Sequence, residues 1–192
     1  MEKLYWDSAD FDDQKFFFTV TDKGLNFVST PGKPISEMFD FYPKSRYQYS
    51  FVSDNLKTDP YLDELEAYLK GDRKSFDLAL DLSHTTASQQ KIYKTLKEIP
   101  YGQTITYHQL AKMIGKPKAT RAVAHAVAMN PILIVIPCHR IIKASGKIGN
   151  YRGGEDMKKA LLNLEQQEPV EKPSLIKRLP IARITQLGRP DL

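Results

Sequence analysis

The residues richest in chemical possibility lie in one run, Ile136-Pro137-Cys138-His139-Arg140. Cys138 is the only cysteine of the chain. It follows an aliphatic stretch and a proline, and it precedes an imidazole and a guanidinium. Cationic neighbours favour the thiolate, the form of sulfur that attacks carbon, and a nearby helix N-terminus does the same. The competing reading is a core cysteine whose flanking charges point away, because a lone thiol in a reducing compartment commonly packs as a small hydrophobe. One cysteine builds neither an internal disulfide nor a cysteine-rich zinc site. The chemistry on offer is therefore a thiol nucleophile, with no metal and no cofactor expected.

Two short helices upstream must position that thiol. Tyr107 to Ile114 has helical length and stops at Gly115, and Arg121 to Ala128 is rich in alanine and stops at Asn130-Pro131. Together they read as a helix-turn-helix. A recognition helix in the major groove carries polar groups near its N-terminus, whereas this one offers Arg121 and then Ala122, Val123, Ala124, His125 and Ala126. A small-faced helix lets its backbone approach a shallow groove but leaves few groups to read base edges. The expectation is contact with double-stranded DNA through Arg121, Ala122 and Ala126, in the minor groove and with little sequence preference. The alternative is a core helix with its alanines packed inward. A thiol beside such a helix points to chemistry on a base drawn out of the stack, with Arg121 filling the vacated space.

Charge and composition agree with a polyanionic partner. The 192 residues carry a net charge of +5, with 41% hydrophobic and 27% charged side chains. Residues 112–121 hold Lys112, Lys116, Lys118 and Arg121 and no acid, while the first 81 residues carry the acidic clusters, so the second half is the half suited to phosphate. No apolar stretch reaches the roughly 20 residues that a bilayer requires, and the N-terminus lacks the apolar region of a signal peptide. The protein is expected inside the cell without a membrane partner, cytoplasmic in a bacterium and nuclear in a eukaryote, and as a monomer.

The fold expected is an α/β N-terminal domain, a β-hairpin or sheet plus a helix, followed by a mostly α C-terminal domain with the helix-turn-helix. Phe16 to Thr21 and Leu25 to Val28 flank Asp22-Lys23-Gly24 as a hairpin. A helix follows over 61–70 and a strand over 76–82. The domain boundaries fall at 1–83 and 84–167, with 168–192 an extended or disordered tail. In the second unit Ile92, Leu96 and Ile99 mark a helix stopped at Pro100, Ile132 to Ile136 reads as a buried extended segment, and Lys158 to Glu165 as a last amphipathic helix.

Several of these motifs, in order, resemble the O6-alkylguanine-DNA alkyltransferases, also called methylated-DNA--protein-cysteine methyltransferases. Pro137-Cys138-His139-Arg140 followed by Ile141-Ile142 looks like that family's active-site signature. The likeness runs from about Ser88 to Glu165, through Pro100-Tyr101-Gly102-Gln103-Thr104, Thr106-Tyr107, Arg121-Ala122-Val123, Asn130-Pro131 and Asn150-Tyr151-Arg152-Gly153-Gly154. The resemblance implies repair in which Cys138 takes the alkyl group from O6-alkylguanine in DNA, and possible action on O4-alkylthymine, in one irreversible turnover with base flipping. It implies that His139 and Glu165 form a water-linked chain favouring the thiolate, that Asn130 braces the active-site turn, and that Arg121 replaces the extruded guanine. It implies as well that Tyr107 presses on the neighbouring phosphate and that Tyr151 with the backbone around Ile141 lines the guanine pocket. Arg152 departs from the pattern, since the family often has a small or hydroxylic residue after Tyr151; it too lines the pocket. His125 is a second departure.

Three other readings compete. An alkyltransferase-like lesion binder replaces the acceptor cysteine, usually by tryptophan. A helix-turn-helix regulator needs polar reading residues where Ala122, Ala124 and Ala126 stand. A cysteine hydrolase usually draws its dyad from separate segments, whereas Cys138 and His139 are adjacent.

Overall fold

The computed structural model describes residues 1–42 and 48–166, so the expectation for 168–192 lies outside the described residues. Four strands, β1 (Glu2–Phe11), β2 (Gln14–Thr21), β3 (Gly24–Val28) and β4 (Tyr49–Val52), form one sheet in the order β3-β2-β1-β4. The β2–β3 hairpin stands where its turn residues predict it, with Thr21 opposite Gly24. Neither β1 nor β4 is anticipated by the sequence pattern. Leu4 and Tyr5, neighbours in β1, enter two different cores, so the strand is covered on both faces and loses the alternation that marks a half-exposed one. Its pairing is antiparallel to β2 and parallel to β4. The register of β3 on β2 shifts between Thr19 and Val20 of β2, which pair with Phe27 and Leu25, leaving Asn26 of β3 as the extra residue of a bulge. The two buried aliphatics on either side, Leu25 and Val28, consequently join the same core.

One face of the sheet is closed by α1 (Met38–Phe41), where Leu4, Phe27, Met38, Tyr42 and Tyr49 cluster. The other face receives α2 (Asn55–Leu69), which begins earlier than its apolar pattern suggests because Asp54 caps it, accepting from Leu56 N at 3.1 Å. Pro60 removes one intrahelical bond, a cost of about 3 kcal/mol. Burial of Leu65 and Tyr68, at roughly 1.5–3 kcal/mol for each large side chain, outweighs it.

The strand expected over 76–82 does not form as such. Only Leu80 makes a bridge, with Leu25, and Asp77 N turns instead to the Glu64 carboxylate at 3.0 Å. This segment covers the free edge of β3: Leu25 N donates to Ala79 O at 2.9 Å and Asp81 N to Leu25 O at 2.8 Å. Gly24 permits the approach. It sits at φ +142°, and a Cβ there would stand 2.4 Å from Ala79 O.

The remaining helices follow the sequence reading closely. Capping boxes start both α3 (Ala87–Lys97), through Thr86 and Gln89, and α4 (Tyr107–Met113), through Thr106 and Gln109. Next come α5 (Thr120–Ala128), packed on α4 and α3, and α6 (Glu155–Gln166). A short parallel pair, β5 (Ile105–Thr106) with β6 (Ile141–Ile142), ties the approach to α4 to the chain after Cys138. One core joins Phe16 and Phe18 of the sheet, Tyr68 of α2, Leu96 of α3, the 132–136 segment and Leu161 of α6. Among the described residues no helix is long and apolar enough to cross a membrane.

Candidate active site

The segment 132–136 is buried as predicted, at 4% exposure or less throughout, but it is not extended. It folds into a compact turn in which Val135 N donates to Leu133 O and Ile136 N to Ile132 O. Ile134 adopts φ +72°, a left-handed conformation unfavourable for a β-branched residue. Asn130 holds the turn in that shape: Ile132 N donates to its Oδ1 at 3.0 Å, and its Nδ2 donates to Ile136 O at 3.0 Å and to Cys138 Sγ at 3.1 Å. A side chain that is itself only 1% exposed thus fixes both the backbone that presents the thiol and the sulfur.

Cys138 opens a 3-10 turn, Cys138–Arg140, which carries His139 and Arg140 away from the sulfur toward Glu165. His139 Nε2 lies 2.6 Å from Glu165 Oε1. Arg140 donates from Nε to Glu165 Oε2 at 2.9 Å, from Nη2 to Oε1 at 3.0 Å, and from Nη1 to Ile99 O at 2.6 Å. Tyr68 OH and Gly102 N also donate to the same carboxylate. Burial pushes the Glu165 carboxyl upward, but these donors outweigh it and bring its pKa down to about 2. A carboxylate that accepts from Nε2 places the neutral ring's proton there and leaves Nδ1 as the acceptor. His139 Nδ1 is buried and meets no protein partner. Burial, opposed by Glu165, lowers the His139 pKa, so the imidazole is neutral near pH 7.

The electrostatics of the thiol differ from the expectation read off its neighbours. Arg140, the cation nearest in sequence, is matched by Glu165. Cys138 is 5% exposed, and burial pushes its pKa up; the Asn130 hydrogen bond, then the charges of Arg152 and Lys158, pull it back only in part. The resting group is a thiol. Lys158 is fully buried and donates from Nζ to Ile141 O at 2.5 Å; burial depresses its own pKa to about 8, against the opposing attraction of Cys138.

Cys138 lies in the wall of a cavity of about 530 Å³, shared with Tyr107, Val127, Lys143, Tyr151 and Arg152. The Tyr151 hydroxyl is buried and donates to no protein acceptor, and burial raises its pKa well above the usual tyrosine value, against the smaller opposing effects of Arg152 and the Ile134 backbone, so it remains a hydrogen-bond donor. Burial raises Tyr107 likewise. The structure therefore gathers Cys138, Tyr107, Tyr151 and Arg152 around one space. Ile141 is not part of that wall; it is buried in β6 with its carbonyl taken by Lys158. On α5, Arg121 and Ala122 are exposed, together with His125 and Ala128. Ala126 is corrected from a surface contact to a core residue: it shares the inward face with Val123 and Val127, and its carbonyl accepts from Tyr93 OH.

Sequence reasoning missed Tyr68, Arg140 as the partner of Glu165, Lys158, and Glu37, whose Oε2 lies 3.3 Å from Nη1 of Arg152 in the cavity wall. Nothing local marks Tyr68 or Glu37, which come from the first half of the chain. Lys158 had a signal: with Leu161, Leu162 and Glu165 it occupies one stripe of α6 at helical spacing, and a charge on an apolar stripe calls for a buried partner.

Known proteins similar to this chain share one family. The family model described as 6-O-methylguanine DNA methyltransferase, DNA binding domain, matches residues 87–167. The inducible methylated-DNA--protein-cysteine methyltransferase of Bacillus subtilis is 42% identical over 168 residues, covering 88% of this chain and 93% of the relative. The methylated-DNA--protein-cysteine methyltransferase of Methanosarcina acetivorans is 52% identical over 102 residues, 53% of this chain and 65% of that one. Among solved structures, Mycobacterium tuberculosis OGT in complex with DNA superposes with a TM-score of 0.72 at 34% identity, over 84% of this chain and 92% of that chain. With a buried, asparagine-held cysteine at a cavity wall and 42% identity to such a relative over most of both chains, the chain belongs to the methylated-DNA--protein-cysteine methyltransferase family.

Proposed function

We propose that the chain repairs DNA by moving an alkyl group from O6 of guanine onto Cys138. The observation that carries this reading is the position of Cys138 Sγ, in a cavity wall, 3.1 Å from Asn130 Nδ2. His139 Nδ1 accepts the thiol proton through a bridging water, for which a buried acceptor without a protein partner is suited. Glu165 steadies the imidazolium that forms. Sulfur attacks the alkyl carbon in line, the C–S bond forms as the C–O bond breaks, and the electron pair passes to guanine, which takes up in net the proton that left the thiol, returned from His139 through water. The Tyr151 hydroxyl donates to the departing base. The thioether product cannot be reversed by thiol exchange, so each molecule acts once.

The α4–α5 pair serves as the helix-turn-helix of the 84–167 unit. Its exposed strip, Arg121, Ala122 and His125, lies against duplex DNA through the minor groove, with the lesion base flipped into the cavity and Arg121 in its place. Tyr107, at the start of α4 and in the cavity wall, meets the phosphate beside it. The family resemblance and the DNA-bound relative support this placement.

The test is the intact mass of the protein after incubation with a duplex carrying one O6-methylguanine, followed by peptide mapping. One methyl on Cys138, saturating at one per protein, is expected, and Cys138→Ser accepts none. Tight binding without a mass change would mean a lesion binder instead.

A further inference from the structure

Arg152, the departure from the family pattern, is held by hydrogen bonds, an ion pair and two aromatic rings. Its Nε donates to Asn130 O at 3.2 Å, and its Nη2 to Val28 O at 2.8 Å and Pro131 O at 3.2 Å. Nη1 reaches Glu37 Oε2 at 3.3 Å, and the guanidinium lies 4.5 Å from the ring centre of Phe41 and 5.3 Å from that of Phe27. Glu37 is fixed from its other side by Thr30, whose backbone N and Oγ1 each donate to it at 2.7 Å. One side chain thus joins the end of β3, the 3-10 turn before α1, and the two residues that begin the active-site turn. Only 11% of it is exposed, and it shares the cavity wall with Cys138.

We propose that Arg152 is a positioning residue for the transfer: it clamps Asn130 and Pro131 to the sheet so that the Asn130 amide stays aimed at Cys138, and it supplies a fixed positive charge at the cavity wall that favours the thiolate. The clamp has a geometric logic. Asn130 can hold the sulfur only if its own backbone is held, and Arg152 grips that backbone at two successive carbonyls. A planar fork suits this task, and an ammonium point charge does not. Electrostatics agree in sign, because Arg152 lowers the thiol pKa and Cys138 in turn raises that of Arg152. Glu37 opposes the charge while ordering the fork.

This inference rests on the alkyl-transfer reading, and its test keeps the two apart. Cys138 of the full chain is alkylated with iodoacetamide across pH, without DNA, and single-turnover transfer from an O6-methylguanine duplex is measured in parallel. Arg152→Ser is expected to raise the midpoint of thiol reactivity by about one pH unit, roughly a tenfold loss of thiolate at neutral pH, and to slow transfer at least as much. Arg152→Lys restores the midpoint while transfer stays slow, because charge returns without the two-carbonyl grip. Glu37→Gln, whose amide oxygen still accepts from Thr30 N while its amide nitrogen can donate to Thr30 Oγ1, removes the opposing charge with Arg152 left in place and shifts the midpoint downward. Unchanged midpoints in Arg152→Ser and Glu37→Gln, or full recovery of transfer in Arg152→Lys, overturn the proposal. A wild-type protein that reacts with iodoacetamide but takes no methyl from DNA overturns the alkyl-transfer reading instead.

Discussion

Asn130 and Cys138 are joined by a hydrogen bond of 3.1 Å from an amide nitrogen that also holds Ile136 O at 3.0 Å. Turn shape and sulfur charge therefore depend on one group. Asn130→Ala should raise the midpoint pH of thiol alkylation by about 1–2 units, the equivalent of a hydrogen bond to a charged group at roughly 1.5–3 kcal/mol. It should also lower the melting temperature, since Ile136 O and Ile132 N lose a buried partner. Iodoacetamide kinetics against pH, with thermal unfolding beside them, check both parts. An unmoved midpoint would mean that the amide serves the turn alone.

Glu165 gives the acid limit of stability. Its folded pKa, about 2, lies below the ordinary carboxylate value of 4.5. The stabilisation is thus fully present above pH 4.5 and is lost as pH falls toward 2, in all on the order of 3 kcal/mol. Glu165→Gln should flatten the stability profile over that window. At neutral pH it should cost about 3–5 kcal/mol, because Arg140 stays buried without its anion. Urea unfolding of both proteins from pH 2 to 7 measures this; parallel profiles would show that the carboxylate is not the group that titrates.

Lys158 carries the opposite sign. Its folded pKa, about 8, is depressed from 10.5, so burial of its charge destabilises the fold fully below pH 8, and the penalty fades as pH rises to 10.5. Lys158→Met removes that penalty, on the order of 3 kcal/mol, and also removes the bond to Ile141 O, about 1.5–3 kcal/mol for a charged donor. The melting temperature at pH 7 should change by only a few degrees. The thiol midpoint should rise, since a positive charge that favours the thiolate is gone. A large loss of stability with an unchanged midpoint would make the lysine a structural hydrogen-bond donor only.

Arg121 is exposed on α5 and distant in role from the thiol chemistry. Arg121→Ala should weaken duplex binding and slow transfer from duplex DNA, while iodoacetamide reactivity and melting temperature stay at wild-type values. If the arginine also meets phosphate, the slope of log binding constant against log salt falls by about one. Titrations at several salt concentrations test this, and equal transfer by both proteins would remove Arg121 from the interface.

The elements that could be read in advance are those governed by local rules. The β2–β3 hairpin follows from Asp22-Lys23-Gly24, α3 and α6 from their apolar spacing, and α4 from its length and the stop at Gly115. Cys138 stood out because a single thiol beside His139 and Arg140 is unusual in local terms. The strand expected over 76–82 shrank to one bridge because Glu64, far away in α2, took the Asp77 N–H. β1 escaped notice because two cores claim its adjacent residues.

Sequence by itself determined the lone thiol beside His139 and Arg140, the helices that bracket it and the Asn130-Pro131 stop after α5, since these rest on residue type and on spacing within one segment. Tertiary structure alone decided which charges act on the sulfur. Arg140, two residues from Cys138, is matched by Glu165, while Lys158 and Arg152 face the thiol from α6 and the loop before it. Coulomb energy depends on distance and burial in space, and neither is a property of separation along the chain.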